Sequence, residues 1–126
     1  MLCDSNILIY AAHPTDTVCD IFISTRGLAI ASVTRIEVLG YPGFSEMSDK
    51  SKQRLRDLLS SLENLALSDD IIERAIALRQ QRRMGLADAI VAATALVYNM
   101  ELATRNIADF KNIPDIRLLN PFTDPF

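Results

Sequence analysis

The chain opens MLCDSNILIYAA, Met1–Ala12, and the apolar pattern changes its period inside that stretch. Met1, Leu2 and Cys3 form an unbroken apolar run, as expected of a short strand covered on both faces. Asp4 and Ser5 interrupt it with residue types that cap helices, and NILIYAA continues as a helix. A buried strand that runs directly into a helix through an acidic residue is the start of a β-α unit, and it puts Asp4 at the carboxyl end of the strand.

The same alternation recurs downstream. TVCDIFISTR reads as a helix, GLAIAS as a strand, and TRIEVLG as a helix halted by Gly40, Pro42 and Gly43. SDKSKQRLRDLLSSL carries Leu55, Leu58, Leu59 and Leu62 at amphipathic-helix spacing, and NLALS follows as a strand. DDIIERAIALRQQRR predicts a helix with Ile71, Ile72, Ala75, Ile76 and Leu78 turned inward. MGLADAIVAATAL, Met84–Leu96, is apolar on nearly every face and predicts a helix buried on most sides. ELATRN supplies a strand and turn, and IRLLN a last short strand. Strands alternating with helices imply right-handed crossovers and an α/β fold. Its sheet is mainly parallel, with four to five strands and helices on both faces. Such sheets bind ligands beyond the carboxyl ends of their strands, at the topological switch point.

At 126 residues, with 49% hydrophobic and 23% charged residues, the chain fits one globular domain over 1–126. No linker or internal repeat is evident. The N-terminus lacks a basic leader region, and no run approaches the ~18 apolar residues of a membrane span, so the default expectation is cytoplasmic. Cys3 and Cys19 lack metal-ligand spacing and read as reduced packing residues. A net charge of −3 argues against a protein that coats phosphates with lysine. It leaves room for an enzyme whose acids hold a metal.

Four acids fall where such a site would lie, and each has a local alternative. Asp4 ends the first strand, or caps the helix after it. Glu37 follows the second strand, or closes a capping box with Thr34. Asp88 sits in the apolar helix, where it faces a polar cavity or lies in the first turn and complements the helix dipole. Asp109, with Asn106, lies just past the fourth strand in TRNIADF, or serves a turn. Carboxylates converging in one cleft repel each other until a divalent cation neutralises them, and all-oxygen ligands suit Mg2+ or Mn2+. The lone histidine, His13, reads as a loop residue before Pro14, and with no thiolate pair the composition argues against zinc.

LCDSNILI, ASVTRIEVLGY, GLADAIVAATAL and LATRNIADF, in this order, resemble the PIN-domain ribonucleases, most closely the VapC-type toxins. The likeness spans essentially the whole chain to LLNPF. It implies the PIN-like three-layer α/β/α fold, a divalent metal, RNA cleavage, a homodimer and inhibition by a cognate antitoxin. Asp4, Glu37 and Asp88 match the family's three central acids, and the fourth falls at Asn106 or Asp109. Ala87 stands where close relatives often carry proline. On this reading Asp4 and Asp88 ligate the metal, and Glu37 is a second ligand or orients the attacking water. Ser5, Asn6, Thr104 and Asn106 make supporting or phosphate hydrogen bonds.

Arg79, Arg82, Arg83 and Arg105 offer a basic rim for RNA, or else the first three are a solvated helix end. Lys50, Lys52, Arg54 and Arg56 read as an exposed face. Among rival functions, an aspartyl phosphotransferase would show D-x-D where this chain has Asp4-Ser5-Asn6. A non-catalytic binding module would lose acids that are present here. A DNA-directed or structure-specific PIN-type nuclease stays open as the nearest alternative.

Overall fold

The computed structural model describes residues 1–13 and 18–126, apart from the side chain of residue 25. Five strands form one sheet: β1 (Leu2–Cys3), β2 (Ala29–Ala31), β3 (Glu63–Leu65), β4 (Leu102–Ala103) and β5 (Leu118–Leu119). Their order is β3-β2-β1-β4-β5, and every pairing is parallel. The helices are α1 (Ser5–Ala12), α2 (Val18–Thr25), α3 (Ser32–Leu39), α4 (Asp49–Ser61), α5 (Asp69–Gln81), α6 (Leu86–Val97) and α7 (Ile107–Phe110). The expected α/β fold with a parallel sheet is therefore the observed one.

Strand alternation divides the core into two layers. Leu2, Ala29, Ala31 and Leu102 face a cluster with Ile71, Ala75 and Leu78 of α5 and the alanine-rich face of α6. Their neighbours Cys3, Ile30 and Ala103 face the other side, with Ile7 and Leu8 of α1, Phe22 of α2 and Leu55 of α4. Because successive side chains point to opposite faces, runs as short as Leu2-Cys3 must be apolar throughout. Burying a side chain such as Leu2, fully enclosed here, contributes about 1.5–3 kcal/mol. Ala89, Ala92 and Ala93 are all fully buried, and their small size lets α6 lie close against the sheet. Cys3 and Cys19 are free, buried thiols in the second layer.

Several local readings need correction. Ile72 and Ile76 are 38% and 45% exposed, so only Ile71, Ala75 and Leu78 of α5 point into the core. α6 is buried on most sides along its middle, as expected, and only Leu86 and Val97 at its ends are exposed. α3 begins at Ser32, two residues ahead of Thr34, so Thr34 lies inside the helix and forms no capping box with Glu37. TRNIADF contains the short helix α7 where only a turn was expected. α5 ends at Gln81, leaving Arg82 and Arg83 beyond it. The start of the TVCDIFISTR helix, at Thr17, lies outside the described residues. Gly40 closes α3 as expected of a breaker, since a Cβ there would stand 2.6 Å from the Ile36 carbonyl oxygen.

Candidate functional site

The sheet order places β1 between β2 and β4, so the chain's direction of travel across the sheet reverses at the β1–β4 boundary. Helices leave the carboxyl ends of these two strands in different directions and open a crevice between them. Asp4 follows β1 and Thr104 follows β4, so both stand at its mouth. The Thr104 hydroxyl donates to Asp4 Oδ2 at 2.8 Å, tying the two strand ends together across the switch point.

Asp4 is 5% exposed. Its Oδ1 accepts the Ser5 backbone N–H at 2.8 Å, so it does cap α1, while its Oδ2 takes the Thr104 hydroxyl at the switch point. The cap and the site are one group. Burial pushes the Asp4 carboxyl above its ordinary value; the bonds from Thr104 and Ser5 oppose this, and the charge of Asp109 adds to it.

Glu37 arrives on α3 and Asp88 in the first turn of α6, both half-buried. Burial raises the Glu37 carboxyl, Asp4 and Asp88 raise it further, and the Ser5 hydroxyl works the other way. Asp88 is raised by burial first and then by Asp4 and Asp109. Gly85 caps α6 without a side-chain bond, and among the described residues no donor holds the Asp88 carboxylate. The amide-capping alternative for Asp88 therefore has no hydrogen bond behind it. Its place in the first turn still suits the helix dipole.

Asp109 is exposed on the first turn of α7, and its charge reaches both Asp4 and Asp88. Asn106 is exposed just before it, and its backbone N–H donates to the Thr104 hydroxyl at 3.0 Å. The structure thus brings Asp4, Glu37, Asp88 and Asp109 into one electrostatic group, with Ser5 and Thr104 bonded into it. Among the described residues, no three His, Cys, Asp or Glu side chains form a ready-made metal cage. A cation that keeps several waters and takes only one or two carboxylates, as Mg2+ does, suits this open donor set better than zinc does.

Three buried side-chain atoms lack a partner among the described residues: Asn6 Oδ1, Thr34 Oγ1 and Arg82 Nε. Two of them stand on the helices that carry Ser5 and Glu37. An unpaired buried acceptor costs about 1–3 kcal/mol, and the Asn6 side-chain oxygen, two residues after Asp4 in sequence, is one such acceptor.

The expected arginine rim is uneven. Arg79 Nε donates to the Met84 carbonyl, and Arg82 donates to the Asn112 carbonyl and to Gln81. Arg83 is exposed. Arg105 packs against the rings of Tyr10 and Phe122, a contact that reading along the chain missed. Tyr10 and Phe122 are distant from Arg105 in sequence, and no spacing signals that they meet.

The fold and site define an all-parallel three-layer α/β protein with carboxylates grouped at its switch point. The PIN domain model matches residues 1–116, and the chain belongs to the PIN-domain family. Its relatives place it with the VapC-type members. Ribonuclease VapC2 of Rickettsia felis is 28% identical over 126 residues, covering 93% of this chain and 94% of that protein. A toxin-antitoxin complex from Klebsiella pneumoniae contains a chain 34% identical, with a TM-score of 0.76, covering 95% of this chain and 96% of that one. VapBC2 from Rickettsia felis, bound to a DNA fragment from its promoter, matches at 26% identity and a TM-score of 0.78, covering 94% and 96%.

Proposed function

We propose that this chain is a divalent-metal-dependent endoribonuclease, the toxin of a toxin-antitoxin pair, working in the cytoplasm as a homodimer. The observation that carries the reading is the gathering of Asp4, Glu37, Asp88 and Asp109 at the switch point of a PIN fold. The names of its relatives, a ribonuclease and toxin-antitoxin complexes, supply the substrate and partner class.

Asp4 and Asp88 are the direct metal ligands. Thr104 and Ser5 fix the Asp4 carboxylate in one orientation, while Asp88 carries no protein donor and keeps its lone pairs for a cation. Together Asp4 and Asp88 would hold Mg2+ or Mn2+, which would supply neutralisation of phosphoryl oxygens and a more acidic water. Glu37 holds a second position or orients the attacking water. Asp109 adds the fourth charge, and Asn6 and Asn106 offer hydrogen bonds to the substrate's phosphate or sugar. Of the four arginines expected at the rim, Arg83 and Arg105 are, among the described residues, the ones with donors free for RNA, since Arg79 and Arg82 donate to backbone carbonyls.

The antitoxin is a small protein, one segment of which enters the acidic cleft and presents a cation to the carboxylates. For the second protomer, the apolar face of Leu67, Ile72, Ile76 and Leu86, around a cavity of about 500 Å3, is the surface that pairing would cover.

The test is incubation of the purified chain with defined RNAs and with single-stranded DNA, in EDTA and in Mg2+, with the cut sites mapped. Cleavage of RNA that EDTA abolishes and Mg2+ restores, and that Asp88→Asn eliminates, is expected. Undiminished cleavage in EDTA, or cleavage of DNA alone, refutes the reading.

A further inference from the structure

We propose that Arg105 is a preorganised phosphate clamp, held by Tyr10 and Phe122, that positions the RNA strand at the acidic cleft; this rests on the ribonuclease reading above. The guanidinium carbon of Arg105 lies 5.0 Å from the centroid of the Tyr10 ring and 4.6 Å from that of Phe122. The two rings meet edge to face, 5.4 Å apart at 74°, and form a corner in which the cation sits. Both walls are anchored. Tyr10 stands on α1, the helix that Asp4 caps. The backbone N–H of Phe122 donates to Asn120 Oδ1 at 3.0 Å, and that of Asn120 donates to Asp124 Oδ2 at 2.8 Å.

The backbone on either side of Arg105 is pinned to the acid site. Thr104 bonds Asp4 through its hydroxyl, and the same hydroxyl accepts the Asn106 N–H. The arginine therefore springs from the rim of the cleft with its root and its head both fixed. Its donors are uncommitted: among the described residues the ion pair present is Arg54 with Asp20, and Arg105 makes no hydrogen bond there. Arg79 and Arg82 differ, because both donate to backbone carbonyls.

A guanidinium held against two rings, with no hydrogen bond to the protein among the described residues, keeps its N–H donors for the paired oxygens of a phosphate. The ring faces it covers are closed to a stacking base, which favours the backbone of the strand over a nucleobase as its ligand. Holding the side chain in advance removes much of the ordering cost of binding. In a chain of net charge −3, a fixed cation beside repelling carboxylates is also what a polyanion needs to approach them.

The experiment measures binding of a fluorescent single-stranded RNA to the full chain by anisotropy in EDTA across a salt series, and cleavage kinetics in Mg2+. Arg105→Gln is expected to weaken binding about tenfold and to lower the salt slope by about 0.7, the contribution of one phosphate contact on a single strand. Arg105→Lys keeps the slope and recovers part of the affinity. Phe122→Leu leaves every charge in place and keeps the slope, yet weakens binding about two- to fivefold and raises KM with kcat unchanged. Tyr10→Leu removes the other wall and gives the same pattern if Phe122→Leu does not fold. Wild-type binding and slope in Arg105→Gln, in a protein that still cleaves RNA, overturn the clamp and leave the ribonuclease reading standing. Unchanged RNA binding with a weakened antitoxin complex assigns the corner to the protein partner and overturns it too. A wild type that neither binds nor cleaves RNA removes both readings together.

Discussion

Replacing Asp88 with asparagine separates a cleft acid from a helix-end acid, because the two roles give opposite signs for stability. Asp88 lies half-buried in the first turn of α6, without a hydrogen bond to hold its charge, and feels Asp4 and Asp109. Neutralising it forfeits a dipole interaction of about 0.3–1 kcal/mol. It relieves three like-charge contacts, with Asp4, Asp109 and Glu37, each about 0.2–1 kcal/mol where solvent screens them, together with the cost of a partly desolvated carboxylate. The balance favours the mutant by about 1 kcal/mol in the absence of metal. With an unfolding entropy of about 2.1 cal/mol/K per residue, a chain of 126 residues gains about 4 °C in Tm from that change. If ~10 mM Mg2+ exceeds the dissociation constant tenfold, it stabilises the wild type by about 1.4 kcal/mol, or ~5 °C, and the mutant much less. Thermal melts in EDTA should therefore place Asp88→Asn above the wild type, and melts in Mg2+ should close or invert the order. A mutant that melts lower by the same margin in both buffers would refute the reasoning and leave Asp88 an ordinary dipole partner.

The metal-free protein should respond to pH in the sense set by its raised carboxyls. Asp4, Glu37 and Asp88 bind protons more tightly folded than unfolded, so their contribution is fully present below the unfolded values of ~4 and is lost as pH rises through the higher folded ones. In EDTA the Tm should be higher at pH 5 than at pH 7, with Mg2+ flattening the difference; a steady rise toward pH 7 in EDTA would count against it. Thr104→Val removes one of the two donors to Asp4 and the acceptor of the Asn106 N–H, and should cost about 1–3 kcal/mol in urea unfolding, so a loss below ~0.5 kcal/mol would show the bond across the switch point to be dispensable. Ile76→Glu puts a charge on the exposed apolar face of α5 and should convert a dimer to monomers in sedimentation with the fold intact. An unaltered dimer would move the interface elsewhere.

What the sequence determined by itself was whatever depends on neighbours in the chain. Apolar runs of two or three residues giving way to helical spacing identify an α/β protein, and a parallel sheet of this kind puts the residue after each strand at one edge. Asp4 could therefore be assigned to that edge from Met1–Ala12 alone. Local rules failed where a competing tertiary environment decided the outcome. Ile72 and Ile76 obey the helical period of α5 yet stay exposed, since the inward stripe of that helix is only as wide as α6 and the sheet can cover. Thr34 and Glu37 spell a capping box, but the strand ends early and α3 starts before them. Only the tertiary structure set the strand order β3-β2-β1-β4-β5, and with it the bond between Thr104 and Asp4 across a separation of 100 residues. The corner that holds Arg105 is of the same kind. Its two rings belong to the first helix and the final segment, and they meet only because α1 and the chain end pack beside the carboxyl end of β4. Periodicity reports which face of an element is apolar, but contacts between distant elements depend on the summed packing of every layer, which no local pattern carries.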